Sequence, residues 1–376
     1  MKFKKLNIIL IVLSLVALFV YMGCVDGFGN ILNAVKSANP FWMGGSVLLM
    51  VVYWVLEAVI LHMVVLKFHR GQRFSSTFHT SMIGQFFNCV TPSASGGQPM
   101  QAVHMVKAGV PLGYSTCALL IKFIVYQTTL TLYSLVILLI KYREFAEKIN
   151  GFGFLILIGF FVSAAVMAGL ICICFFRRFT RWAAGGIVSL LYRMRIIKDK
   201  QEKLDYIDNE LRQFHDSFRV IKQNVGMIVQ MALLSALQLT VFYLIPYFIY
   251  LSFGLRGAPI STVLSAQSFV SLMSSFVPLP GAMGGAEFSF HVLFGSLMPE
   301  RFLTTAILFW RMITFYLPIL VGLFFVANFR PRRQKKADMA ETEAGSPTAE
   351  DFEASGTPET PAAAGDAKND SQKERQ

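Results

Sequence analysis

The sequence predicts an all-α polytopic membrane protein with six full transmembrane helices and two broken or re-entrant hairpins in an inverted-repeat arrangement. Three observations carry that expectation. Hydrophobic residues make up 55% of the 376 positions and charged residues 15%, against about 25% charged in a soluble domain. Several apolar runs reach the roughly 20 residues that a helix needs to cross the hydrocarbon. The pattern P-x-x-x-G-G occurs twice within apolar sequence, from Pro92 to Gly97 and from Pro280 to Gly285, with Lys122 and Arg311 following at nearly equal spacing.

The first apolar run, 6–24, follows Lys2, Lys4 and Lys5. It is longer than the ~7–15 residue core of a secretory signal, and Tyr21-Met22 before Gly23-Cys24 lacks the small residues of a cleavage site. It therefore reads as a retained helix. Further crossings are expected at 41–66, 113–140, 151–176, 225–255 and 302–329. Basic residues cluster at Lys67, Arg70 and Arg73, at Arg177, Arg178 and Arg181, and from Arg330 to Lys336, which predicts cytoplasmic loops there and cytoplasmic N- and C-termini.

This orientation makes residues 74–110 leave and re-enter on the cytoplasmic side, and residues 257–301 return to the outer side. Each segment holds one break between two apolar arms, 75–90 and 98–110 in the first, 259–277 and 286–297 in the second. Proline removes a backbone donor and glycine adds conformational freedom, so a helix meeting both is broken. Broken backbone at membrane depth requires protein or water around it, and paired breaks in two halves point to a transport site. The two breaks are expected to meet near the membrane centre, with Thr91, Gly97, Gly285, Glu287 and Arg311 facing one space.

Residues 1–336 form the predicted membrane domain, with 182–224 as a cytoplasmic amphipathic connector; the Ala/Glu/Thr/Ser/Pro-rich stretch 337–376 reads as a disordered tail. The five cysteines lack metal-ligand spacing and His neighbours, so no metal or cofactor is expected. No H-E-x-x-H, paired acidic motif or Ser/His/Asp set lies in the apolar runs, and no catalytic residue is assigned. Despite a net charge of +12, the basic residues sit at the ends of apolar runs, and no nucleic-acid partner is implied.

Charged residues inside apolar runs are costly and by default suggest function. Lys122 lies about nine residues into its helix, within snorkelling reach of the interface at ~1.5 Å per residue. Arg311 has Glu287 on the facing arm, and such a pair either fixes the hairpin or receives a phosphate. Glu57 has no basic partner nearby in sequence; it is either protonated and hydrogen-bonded in the bundle or takes part in proton coupling. Asn88, Thr91 and Ser93 place polar groups at the first break, and Gln267, Ser268, Ser271 and Ser274 precede the second; they satisfy helix contacts or line a hydrated pocket. His104 and Lys107 read as interfacial anchors or as attractors of anionic head groups.

Asn88-Cys89-Val90-Thr91-Pro92-Ser93 with Gly96-Gly97, then Pro278-Leu279-Pro280-Gly281-Ala282-Met283-Gly284-Gly285-Ala286-Glu287, then Arg311 with Tyr316 and Pro318, resembles the transmembrane domain of bacterial lysylphosphatidylglycerol synthases, over roughly residues 5–330. That family includes stand-alone proteins described as flippase-like. In the full-length enzymes a soluble domain transfers lysine or alanine from aminoacyl-tRNA to phosphatidylglycerol, and the membrane domain moves the product outward. The stretch after residue 336 is not expected to form such a soluble domain, so the resemblance implies a lipid translocase of the bacterial inner membrane more than a phosphatidylglycerol lysyltransferase. The implied partners are a membrane phospholipid, anionic or aminoacylated, and a separate lipid-synthesising enzyme. The implied lipid contacts are Asn88, Thr91, Pro92, Ser93, Gly96, Gly97, Lys122, Pro280, Gly281, Gly284, Gly285, Glu287, Arg311 and Tyr316. The rival expectations are a membrane component of lysylphosphatidylglycerol synthesis, carrying the phosphatidylglycerol lysyltransferase label by family inheritance, and an intramembrane lipid-modifying enzyme.

Overall fold

The computed structural model describes residues 38–147, 223–274 and 279–327 with a few isolated positions, and every regular element among them is helical. Four stretches are long and apolar enough to span a membrane: Pro40–Phe68, Leu112–Ala146, Val225–Ser252 and Glu300–Ala327. The crossings expected at 6–24 and 151–176, the connector 182–224 and the tail 337–376 lie outside the described residues, apart from isolated positions.

The first half contains α1 (Pro40–Phe68), α2 (Phe74–Val90), α3 (Gly97–Lys107) and α4 (Leu112–Ala146). The second contains α5 (Val225–Ser252), α6 (Ile260–Ser274), α7 (Gly285–Phe294) and α8 (Glu300–Arg311), then a π-helical turn, Met312–Tyr316, and α9 (Leu317–Ala327). Two asparagine caps start the first helix of each half: Asn39 accepts from the Phe41 amide at 2.9 Å, and Asn224 from the Met227 amide at 3.3 Å. Each satisfies a first-turn N–H that has no intrahelical acceptor. The hairpin arms are shorter than expected at their far ends, since α3 stops at Lys107 and α7 at Phe294, each before a glycine-containing turn.

The contacts fix the helix directions. The Asn39 amide donates to the Ser252 carbonyl at 2.8 Å, so α1 begins where α5 ends and the two run antiparallel. At the other end Phe68 stacks on Tyr114 at 5.2 Å, which makes α4 antiparallel to α1 as well. The α2–α3 hairpin enters from that end: Phe74 meets His62 of α1 at 5.5 Å, and Met105 and Val110 pack with Cys117 and Met231. The α6–α7 hairpin enters from the opposite end, where Thr262 donates to Glu144 near the close of α4 at 3.0 Å and Phe302 stacks on Phe253 at 4.9 Å. The hairpins thus point toward each other. Because lipid tails are as apolar as these side chains, close packing and interhelical hydrogen bonds hold such a bundle rather than hydrophobic exclusion.

Candidate functional site

The two breaks share one backbone path. Ser93 and Ala94 take positive φ of 50° and 53°, and Gly281 and Ala282 take 58° and 52°. In both copies the amide three residues after the proline returns to its carbonyl, Ser95 to Pro92 at 3.1 Å and Met283 to Pro280 at 3.3 Å. This is the tight turn with two successive left-handed residues, and each non-glycine residue held so costs roughly 1–3 kcal/mol. The turns also touch, because Pro92 and Pro280 form an antiparallel bridge. Neither proline has an N–H, so the pairing runs through the amides and carbonyls of the flanking residues. The expectation that the breaks approach each other is met by this bridge.

The first break is closed by short polar contacts. Thr91 Oγ1 donates to the Phe87 carbonyl at 2.6 Å and accepts the Gly96 amide at 2.8 Å, while Ser95 donates to the Pro92 carbonyl at 2.9 Å. A Cβ at Gly97 would overlap Asn88 Oδ1 and come 2.9 Å from the Gly84 carbonyl oxygen, so α3 packs on α2 only with glycine there. Pro92, Ser93 and Ser95 remain exposed at the tip.

The second break is closed by one cation. Arg311 Nη1 donates to the Gly281 carbonyl at 2.9 Å, with Nη2 at 3.5 Å from that of Ala282. Its Nε lies 2.6 Å from Glu287 Oε1 as an ion pair whose N–H is not aimed along the line, and Glu287 Oε2 is buried without a hydrogen-bond partner among the described residues. Trp310 and Phe315 flank the guanidinium at 4.9 and 5.6 Å. Tyr316 is buried with its ring edge-on to Phe315, and Phe315 fills the space beside Gly281. The π-helical turn starting at Met312 directly follows Arg311, as such turns commonly do at functional positions.

Lys122 is placed differently from the snorkelling expectation. Its side chain is 11% exposed and ion-pairs with Glu57, which is itself 9% exposed. Gln238 of α5 donates from Nε2 to Glu57 Oε2 at 2.8 Å. Glu57 therefore has the basic partner that sequence proximity did not reveal, and Gln238 is a member that sequence reading missed. Around this pair, Tyr53 hydrogen-bonds with Tyr126 and Gln85.

The serines before the second break serve helix contacts: Ser268 pairs with Ser134 at 2.9 Å, and Ser274 returns to the Val270 carbonyl at 2.6 Å. His104 is buried between the arms of the first hairpin, 2.8 Å from Thr80 Oγ1, and is not an interfacial anchor. Among the described residues no group of His, Cys, Asp and Glu is arranged to hold a metal ion.

The family profile described as "Lysylphosphatidylglycerol synthase TM region" matches residues 7–322, which include both breaks, Glu57, Lys122 and Arg311. The chain belongs to this family. Among curated relatives of this lysylphosphatidylglycerol synthase membrane region, a UPF0104 membrane protein of Archaeoglobus fulgidus is 27% identical over 307 residues, 78% of this chain and 88% of the relative. A UPF0104 membrane protein of Pyrococcus horikoshii is 24% identical over 259 residues, 66% of this chain and 75% of the relative. With its apolar helices, the chain is a multi-pass membrane protein.

Proposed function

We propose that the chain moves a phospholipid across the membrane by holding its phosphate at the junction of the two breaks. The observation that carries this reading is the Pro92–Pro280 bridge, which joins the tips of two hairpins entering from opposite ends. In a bilayer those ends would face opposite leaflets, the arrangement of an inverted-topology transporter, with both termini cytoplasmic. Backbone turns at that depth need water or a polar ligand around them, and the exposed Pro92–Ser95 turn presents such a surface.

Helix α3 starts at Gly97 without an acidic residue in its first turn, so its dipole end favours the phosphate. In α7 that position is filled by Glu287, already paired with Arg311. The Nη edge of Arg311 anchors the second break, while its Nε edge, imperfectly used by Glu287, is the edge a phosphate would take in exchange. Asn88, Thr91, Ser93 and Tyr316 shape the surroundings. A separate lipid-synthesising enzyme would supply an aminoacylated substrate.

The test is leaflet-resolved movement of fluorescent phosphatidylglycerol in proteoliposomes, alongside mass spectrometry of total lipid. The unaltered chain should equilibrate the label between leaflets and leave lipid composition unchanged. A new lipid species dependent on this chain alone would establish the intramembrane enzyme instead.

A further inference from the structure

We infer that Glu57, Lys122 and Gln238 form a proton-binding station that couples lipid movement to proton movement. The inference rests on the translocase reading. Three observations carry it. The Glu57–Lys122 pair is buried amid three helices, where an ion pair adds little net stability over apolar side chains of the same volume, so stability alone does not explain it. Gln238 is fully buried and uses only half of its amide: Nε2 donates to Glu57, while Oε1 has no partner among the described residues. The station also joins the halves, with Glu57 and Lys122 on α1 and α4 and Gln238 on α5.

An amide suits both protonation states of a carboxylate. With Glu57 ionised, Nε2 donates to it; once Glu57 binds a proton, the new O–H needs an acceptor, which the Oε1 of a turned Gln238 supplies. A proton from water forms an O–H bond on the Glu57 carboxylate, and the ion pair with Lys122 is lost. The station then carries one net positive charge, offset by the negative charge of a lipid phosphate. Release of the proton to water restores the neutral pair and removes the attraction for the phosphate. One proton accompanies one anionic head group. The titratable groups facing Glu57 are Lys122 and Tyr126 from α4 and Tyr53 from its own helix.

The experiment uses the full chain in vesicles of phosphatidylethanolamine and phosphatidylglycerol. Dithionite quenching follows fluorescent phosphatidylglycerol and an enclosed pH dye follows protons, with and without an imposed pH difference. In the unaltered protein the pH difference should speed lipid movement several-fold, with proton entry in step. Glu57→Gln/Lys122→Met, which removes the pair without stranding a charge, should bring the ratio of rates with and without the gradient to one. Glu57→Asp, which keeps a titratable carboxylate, should recover part of the response. Equal rates with and without the gradient in the unaltered protein, or an undiminished response in the double variant, would overturn the inference. Glu57-dependent proton entry without lipid movement would sustain the station and sink the translocase reading. Absence of both would sink both.

Discussion

The two breaks follow the same turn yet are held by different means. At the first, hydroxyls of Thr91 and Ser95 close the loop, and the downstream cation Lys122 pairs instead with Glu57, which also accepts from Gln238. At the second, Arg311 turns back onto the carbonyls of Gly281 and Ala282 and holds Glu287 within the same half. The motif thus specifies a backbone shape, and the basic residue that follows it serves a separate purpose in each copy. One cation closes a turn. The other links two helices of its half to α5 of the other half.

The sharpest way to break this comparison is to remove the two cations in turn. Arg311→Gln should free two carbonyls and strand Glu287, costing about 3–5 kcal/mol, because the charge left behind is buried. Lipid movement should fall at least about tenfold, the equivalent of 1.4 kcal/mol. Arg311→Lys should recover only part, since a point charge lacks the guanidinium fork. Thermal unfolding in detergent and the leaflet assay read the two effects separately. Equal loss from Arg311→Lys and Arg311→Gln would argue that the fork is irrelevant.

A glycine series probes the turns with smaller effects. Gly281→Ala combines a positive φ with a clash against Phe315, whereas Gly97→Ala meets only steric overlap with Asn88 and Gly84. The first should therefore be the more damaging, with overpacking alone worth about 1–3 kcal/mol at either site. Gly284→Ala has open space around the new methyl but sits at φ +80°, so it should cost about 1–2 kcal/mol through conformation alone. The order of unfolding temperatures, Gly281→Ala lowest and Gly284→Ala highest, checks this. Gly97→Ala unfolding above Gly284→Ala would mean that backbone strain dominates over space.

The smallest effect is expected where strain can be relieved. Ser93→Gly keeps φ near +50° without a Cβ penalty, so the gain offsets the greater freedom of the unfolded chain and unfolding should shift by less than about 1 kcal/mol. A large loss would show that the Ser93 hydroxyl has a role the geometry does not assign to it.

Much of this was legible in the sequence because it depends on local chemistry. Proline and glycine mark both breaks directly, and the crossings near 41–66, 113–140, 225–255 and 302–329 follow from apolar length. The Arg311–Glu287 pair was also readable, since hairpin and following helix are adjacent in the chain. The Glu57–Lys122–Gln238 group was not, because its members are separated by 65 and 181 positions and meet only through helix packing. Snorkelling was a sound expectation for Lys122 judged from its own helix alone; the buried carboxylate on α1 changes the balance. The serines of α6 left two readings open for a related reason: polarity near a break does not say whether a side chain faces a neighbouring helix or open space.

The central claim, that lipid passes the junction of the two breaks, is tested most directly by locking that junction. In a chain without its five native cysteines, Pro92→Cys with Pro280→Cys places two thiols across the antiparallel bridge, at a separation suited to a disulfide. Leaflet-resolved movement of fluorescent phosphatidylglycerol should proceed with the thiols reduced, stop on oxidation and resume on reduction. Undiminished lipid movement through the cross-linked protein would contradict the account.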